Sequence, residues 1–416
     1  MSRAAHPRTT SRRTRRLLGV AVAAALLASG CGLSAESDTG NSGDSADDPI
    51  VIGMSLPLSG PAADRAKPGM EGYQYWADEV NADGGLLGRQ IELNVLDDGF
   101  DQQTAISDYN RLISQDKVDL LLGTFSSDLN LVVAPVAERY KYLYIQPSGG
   151  ADEIFARDFT YLFFAQPATT QRLPNQLVTV IEQMPEATRP KTVALVQQDD
   201  PNTAQAAEIF SERLGELGIT TVYNQTYAPD TSNFDTIANA IKQAAPDLVI
   251  NGPVTSDGVS LVRSLQKVGF SPRMLYQQNA PTAPGYAEGI GAANTEGVLT
   301  TVAYSTETDF AGNADFVAGY TERYGYAPDE DAANSYTAAQ VLRAAVEAVG
   351  SLDQAALADW LHENTVETIV GPLSWDAAGR PQGELLLAQF QSGELKIVAP
   401  ENGANADLLH PKPNWQ

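Results

Sequence analysis

The side chains best suited to covalent chemistry are few in this chain and badly spaced for it. Its three histidines are His6 in an arginine-rich start, His362 in an amphipathic stretch and His410 in a proline-rich tail. None is placed as the base of a nucleophilic triad. The sequence has no G-x-S-x-G elbow and no pair of His or Cys at metal-ligand spacing. Carboxylates do pair at Asp97-Asp98 and Asp199-Asp200, each just past an apolar run. Adjacent side chains there point apart, which suits loop capping better than acid and base work on one substrate.

Groups suited to non-covalent binding are better placed. Phe125-Ser126-Ser127 follows an apolar run that ends at Gly123 and precedes a helical pattern beginning near Asp128. Free backbone N–H groups and hydroxyls at such a junction can converge on an anionic group. Ser148-Gly149-Gly150 has the same relation to the run ending at Ile145. Taken singly, Ser127 or Asp128 reads as the cap of its own helix. Two such loops side by side point toward a site.

The elements that must position these loops follow from periodicity. Strand-like 50–56 is followed by a stretch in which Met70, Tyr73, Trp76, Ala77 and Val80 share a helical face. Strand-like 91–96, 118–122 and 142–145 then alternate with helix-like 104–114 and 129–138. Gly84-Gly85 and Gly88 mark a helix end and turn. A second set of such units runs from 192 to 268, followed by helix-like 316–324 and 338–349 and by strand-like 385–390 and 397–398. The pattern predicts an α/β chain of two lobes with parallel sheets, ligands being taken at the carboxyl ends of the strands. Late segments left over after two such sets predict that the chain crosses between lobes more than once.

Composition narrows the setting. Arg3, Arg8, Arg12, Arg13, Arg15 and Arg16 precede an apolar run, 17–28, closed by Ser29-Gly30-Cys31. This is a secretory n-region, h-region and small-residue cleavage site, with Cys31, the single cysteine, as the lipidated first residue after cleavage. Ala28 stands where such sites more often carry Leu, Val or Ile. General secretion and twin-arginine export both remain open. The run is shorter than the roughly 20 residues needed to span a bilayer. Residues 31–49 are too polar to bury a core and read as a disordered leash. Cleavage would move the formal charge from −25 to −31, against a nucleic-acid partner. The expectation is an exported, lipid-anchored monomer on the outer face of the cytoplasmic membrane. With one cysteine no disulfide can form within the chain, so stability must come from the core.

Several motifs together resemble the leucine/isoleucine/valine-binding type of substrate-binding proteins of ABC importers. They are Pro57-Leu58-Ser59-Gly60-Pro61, NADGGLLGR at 81–89, QDKVDLLLG at 115–123 followed by Ser126-Ser127, and GPLSWDAAG at 371–379. The resemblance implies two Rossmann-like lobes joined by three crossovers and closing on a ligand by hinge motion. It places the crossovers near Gln166-Pro167, near 278–280 and beyond Gly371. The lobes would then be 50–167 with 280–370, and 168–279 with 371–416.

It also implies a pocket. Ser127 matches a serine that binds the ligand carboxylate in amino-acid-binding members. Gly150 stands where those members have a threonine, Asn202 and Val254 where they have tyrosines, Gln278 where a glutamate pairs with the ligand ammonium, and Arg65 where they have an aromatic residue. A buried ammonium without a carboxylate partner is strongly disfavoured, whereas the Gln278 amide suits a neutral or anionic group. An unmodified α-amino acid therefore fits this pocket less well than the resemblance suggests. Arg65 would supply positive charge or a planar stacking surface, or else lie on a solvated loop. Asp257 reads as a helix cap, and Tyr304 and Tyr336 as core residues more than cleft aromatics.

The resulting expectation is a cofactor-free, non-enzymatic receptor that binds a small polar molecule, an amino acid or a related amide or carboxylate, and delivers it to a membrane permease. The ligand would touch Arg65, Phe125, Ser126, Ser127, Ser148, Gly149, Gly150, Asn202 and Gln278. A ligand sensor of the same fold and a secreted hydrolase using Asp97 or Asp199 are the alternatives.

Overall fold

The computed structural model describes residues 48–416 apart from 61, 200, 229–230, 254–256 and 283–284. Cys31, its leader and the leash lie outside the described residues, as does Val254. Among the described residues no helix is long and apolar enough to cross a membrane.

The first sheet contains β1 (Ile50–Leu56), β2 (Ile91–Asp97), β3 (Leu120–Leu122), β4 (Tyr144–Gln146) and β5 (Leu162–Phe164). Its order is β2-β1-β3-β4-β5, parallel throughout. Side chains alternate across a strand, and the sequence uses both faces. Ile50, Ile52, Met54, Leu56, Leu120, Leu122 and Ile145 bury on one side, under helices Ala63–Ala82 and Glu330–Val349. Leu121 and Tyr144 bury on the other with Tyr109, Leu129 and Val133, from helices Gln102–Arg111 and Ser127–Tyr140. The near-continuous apolar runs are thus what a sheet covered on both faces requires.

The second sheet adds β6 (Thr192–Gln198), β7 (Thr220–Tyr227), β8 (Leu248–Gly252), β9 (Met274–Gln277) and β10 (Val298–Val302). A small hairpin of β11 (Val366–Thr368) and β12 (Gly371–Leu373) precedes β13 (Leu386–Gln391) and β14 (Glu394–Ala399). The order is β14-β13-β10-β9-β8-β6-β7. Again the faces alternate: Val193, Leu195, Leu248 and Ile250 pack with Phe210 and Leu177, whereas Ala194, Val196 and Val249 pack with Leu261 and Ile241. Strands β6 to β10 are parallel, but β13 and β14 run antiparallel. Ser392 and Gly393, with φ of 54° and 86°, make the two-residue turn that reverses the chain.

Two boundaries differ from the sequence expectation. Strand β10 pairs with β9 and β13, so the second crossing follows Val302 and does not lie at 278–280. The β-branched composition of β10, Val298-Leu299-Thr300-Thr301-Val302, is that of an ordinary buried strand. The third crossing is also later, because residues 371–381 stay with the first lobe. Trp375 is buried in that lobe's core, and its Nε1 donates to the Phe164 carbonyl at 2.8 Å. Gly379, at φ 74°, lies where a Cβ would stand 1.8 Å from the Leu162 carbonyl oxygen, an approach only glycine permits.

Candidate functional site

Between the two lobes lies a cavity of about 290 Å³. All nine residues singled out in the sequence line it: Arg65, Phe125, Ser126, Ser127, Ser148, Gly149, Gly150, Asn202 and Gln278. The first seven come from loops and a helix start at the carboxyl edge of the first sheet. Asn202 and Gln278 come from the second lobe, just past β6 and β9.

The two serine loops are held by one buried side chain that the sequence reading missed. Asn130, fully buried on the first turn of helix Ser127–Tyr140, donates from Nδ2 to the carbonyls of Ser126 at 2.6 Å, Ser148 at 2.9 Å and Thr124 at 3.1 Å. Its Oδ1 accepts from the Tyr144 hydroxyl at 2.6 Å. The loops also bond each other: Ser126 N–H donates to Ser148 Oγ at 3.2 Å, and Ala151 N–H to Ser127 Oγ at 3.3 Å. Ser126 caps the helix, its Oγ accepting from Leu129 N–H at 3.5 Å, with φ at 71°. Gly149 has φ of 93°, and a Cβ there would lie 2.8 Å from the Ser126 carbonyl oxygen. The cap is therefore Ser126 and not Ser127 or Asp128, because the helix begins at Ser127, one residue earlier than the pattern suggested. Ser126 fulfils a cap, and the cap aims the loop at the cavity.

Arg65 lies in the first turn of helix Ala63–Ala82, not on a loop. Its guanidinium forms a two-point pair with Asp331, Nε to Oδ2 at 2.9 Å and Nη2 to Oδ1 at 3.1 Å, and lies 5.5 Å from the centroid of the Phe125 ring. That Asp331 carboxylate raises the Arg65 pKa and offsets its charge. Asp128, Glu330 and Asp331 also line the cavity, so the charged lining has three carboxylates to one cation. The loss of a glutamate at position 278 thus does not strip the cleft of acids, as the sequence comparison alone suggested. The run Asp329-Glu330-Asp331 is legible as a helix start, and Asp329 caps helix Glu330–Val349 by accepting from Ala332 N–H at 2.9 Å. Its arrival at the cleft is a long-range pairing with Arg65, 266 residues earlier in the chain, which no local pattern signals.

The lobes touch directly beside the cavity. Asp152 of the first lobe accepts from Gln205 Nε2 at 3.0 Å and from Thr169 Oγ1 at 3.1 Å, and Thr170 Oγ1 donates to Asn202 Oδ1 at 3.0 Å. Among the described residues, Gln278 is 4% exposed and its Oε1 has no partner, and the same holds for Asn334 Oδ1 at 3%. Both side chains reach the cavity lining from opposite lobes.

The other candidates lie elsewhere. His362 stacks on Phe163 at 4.7 Å and meets the Thr160 carbonyl, and His410 meets the Thr188 carbonyl. Asp97 accepts from the N–H groups of Ser59 and Gly99, at 3.1 and 3.0 Å. Asp98, 2% exposed, accepts from Phe100 N–H at 2.9 Å and Ser55 Oγ at 3.1 Å. Burial raises the Asp98 pKa, while hydrogen bonds from Ser59 and Gly99 hold that of Asp97 down. The pair serves its loop. Asp199 N–H pairs with the Tyr227 carbonyl, and Asp200 is outside the described residues. Tyr336 packs in an aromatic cluster with Tyr75 and Phe316, and Tyr304 lines a different cavity. Asp257 opens helix Asp257–Val268 and accepts from the Tyr227 hydroxyl.

Residues 49–394 match the family model described as periplasmic binding protein. A Leu/Ile/Val-binding protein homolog of Brucella suis is 26% identical over 382 residues, 87% of this chain and 94% of its own. Two solved structures share the fold. A branched-chain amino acid transporter substrate binding protein of Streptococcus pneumoniae, in complex with isoleucine, superposes with a TM-score of 0.74 at 20% identity, over 85% of this chain and all of that one. A solute binding protein of an ABC transporter from R. palustris, in complex with benzoate, gives 0.72 at 22% identity, over 87% of this chain and 98% of its own.

Proposed function

The chain belongs to the periplasmic binding protein family, and from that premise we propose that it is a lipid-tethered receptor that closes on a small polar solute and delivers it to an ABC permease. The observation that carries this reading is the cavity between the lobes, in which loops from both carboxyl sheet edges meet. Arg65, Phe125, Ser126, Ser127 and Ser148 to Gly150 contact the solute from one side, and Asn202 and Gln278 from the other. Closure follows from hinge rotation, with the Asp152 to Gln205 contact made as the lobes meet.

The solute is an amino acid or a related amide or carboxylate. Backbone and hydroxyl donors at Ser126 and Ser127 suit its carboxylate, and the acids Asp128, Glu330 and Asp331 supply the negative field an ammonium needs. The two solved structures of this fold, one with isoleucine and one with benzoate, each hold a ligand that carries a carboxylate. Acylation at Cys31 keeps the receptor at the outer face of the membrane, within reach of the permease.

Native purification followed by denaturation and mass spectrometry of the released small molecules tests the ligand class. A carboxylate-bearing metabolite that rebinds and lowers the radius of gyration in small-angle scattering is the expected result. A tight ligand that leaves the scattering unchanged would refute closure. Mass spectrometry of membrane-extracted protein should show acyl chains on Cys31, absent in Cys31→Ser.

A further inference from the structure

A second cavity, of about 390 Å³, adjoins the cleft where the second crossing leaves the second sheet, with Val302 and Glu330 lining both. Its floor is apolar. Val302, Ala388 and Ile397 belong to a small cluster separate from the main cores, and Leu395 packs against it. Its rim is acidic, with Glu307, Asp329, Glu330 and Glu394. Lys396 offsets part of this charge, since its Nζ lies 3.2 Å from Glu307 and 2.7 Å from Glu394. One ammonium thus serves two carboxylates, leaving the rim net negative.

One further observation points to a ligand. Tyr304, 6% exposed, lines this cavity, and its hydroxyl has no hydrogen-bond partner among the described residues. The carboxylates ring an apolar floor and do not converge on a point; among the described residues no group of three acids or imidazoles is placed to hold a metal ion. Burial, and then Asp331 beside it, push Glu330 up to about 7, with Arg65 only partly opposing the rise.

We propose that this cavity is a second binding site, for an organic cation with a compact apolar body, its ammonium at the acidic rim and its hydrocarbon on Val302, Ala388 and Ile397. The chemistry is that of an apolar pocket with a few convergent polar groups. Glu330 forms part of the wall of both cavities, so an occupant would sit one side chain away from the solute. The site stands on its own geometry and does not depend on what the cleft binds.

Benzylammonium and its neutral counterpart benzyl alcohol are suitable probes, titrated into the purified full chain by calorimetry. The expected result is saturable benzylammonium binding, with benzyl alcohol at least about tenfold weaker. Thr306, an exposed rim residue, can be changed without touching the core, and Thr306→Trp should weaken benzylammonium binding at least about tenfold by covering the floor. Glu307→Gln should weaken it several-fold, and Asn202→Leu, in the other cavity, should leave it within about twofold. No saturable binding, equal binding of the alcohol, no effect of either rim variant in folded protein, or loss of binding in Asn202→Leu would each overturn the proposal.

Discussion

Replacing Asn130 with alanine tests whether the cleft loops are built by hydrogen bonds or by packing. The wild-type amide satisfies three carbonyls and one hydroxyl, all at distances of 2.6 to 3.1 Å. Their losses differ. Tyr144 and Thr124 are fully buried, so the hydroxyl and the carbonyl are left without solvent, at about 1–3 kcal/mol each. Ser126 and Ser148 are half-buried at the cleft and can recruit water, at about 0.5 kcal/mol or less each. The sum is a destabilisation of about 2–7 kcal/mol. With a urea slope of about 3 kcal/mol per molar, the midpoint should fall by roughly 0.7 to 2.3 M at unchanged slope. Asn130→Asp separates the two explanations, because it keeps the volume and the acceptor for Tyr144 but loses every donor. It should be no more stable than the alanine variant near pH 7. Amide exchange in 124–130 and 148–150 should accelerate in both. A midpoint within about 0.3 M of wild type for alanine, or a well-tolerated aspartate, would show that the loops are held by packing instead.

Three other outcomes are expected. Arg65→Ala should weaken the co-purified solute at least about tenfold, since it removes the cation and leaves Asp331 unpaired; unchanged affinity in calorimetry would remove Arg65 from the site. Asp152→Ala should weaken the same solute about thirtyfold and enlarge the scattering radius, because it loses two contacts worth about 1 kcal/mol each to the closed form; unaltered values would deny those contacts a part in closure. Glu330 is raised to about 7 in the folded chain, which therefore binds its proton more tightly than the unfolded chain does. Its ionisation penalises folding fully above pH 7, partially between 7 and the ordinary glutamate value, and not below. Glu330→Gln should accordingly melt higher than wild type at pH 8, with the gap closing as the pH falls toward 4.5; a pH-independent gap would contradict the assignment.

How much of this was legible in the sequence depends on how local the signal was. Near-continuous apolar runs along 50–56, 118–122 and 192–196 predict sheets covered on both faces, and the structure has them, because a run of this kind is a property of a few neighbouring residues. The serine loops were legible for the same reason, as each follows its strand directly. Asn130 was not, since a polar residue in a helical pattern carries no sign of the loop it will meet from position 148. Strand β10 was legible, since its β-branched residues favour a strand, but the second crossing was placed by resemblance instead. Asp331 fell in the same lobe as Arg65 on that placement, yet no local pattern signals a contact between residues 266 positions apart. The acids of the cleft were therefore visible as residues and invisible as lining.

The first and third crossings are not independent threads. Arg172, just past the first, donates from Nη1 to the carbonyls of Gln382 at 2.9 Å and Gly383 at 2.8 Å and pairs with Glu384, all on the third. Gly379 lies flat against β5, and Trp375 is bonded to the end of that strand. Two polypeptide links fastened side by side behave mechanically as one strip, stiff to sliding and splaying and compliant chiefly in bending and twist. In the proposed closure the lobes would then move with few degrees of freedom, so little orientational entropy would be spent in bringing Asn202 and Gln278 to the serine loops. Cutting this fastening at Arg172 would widen the range of open forms without touching a single residue of the cleft.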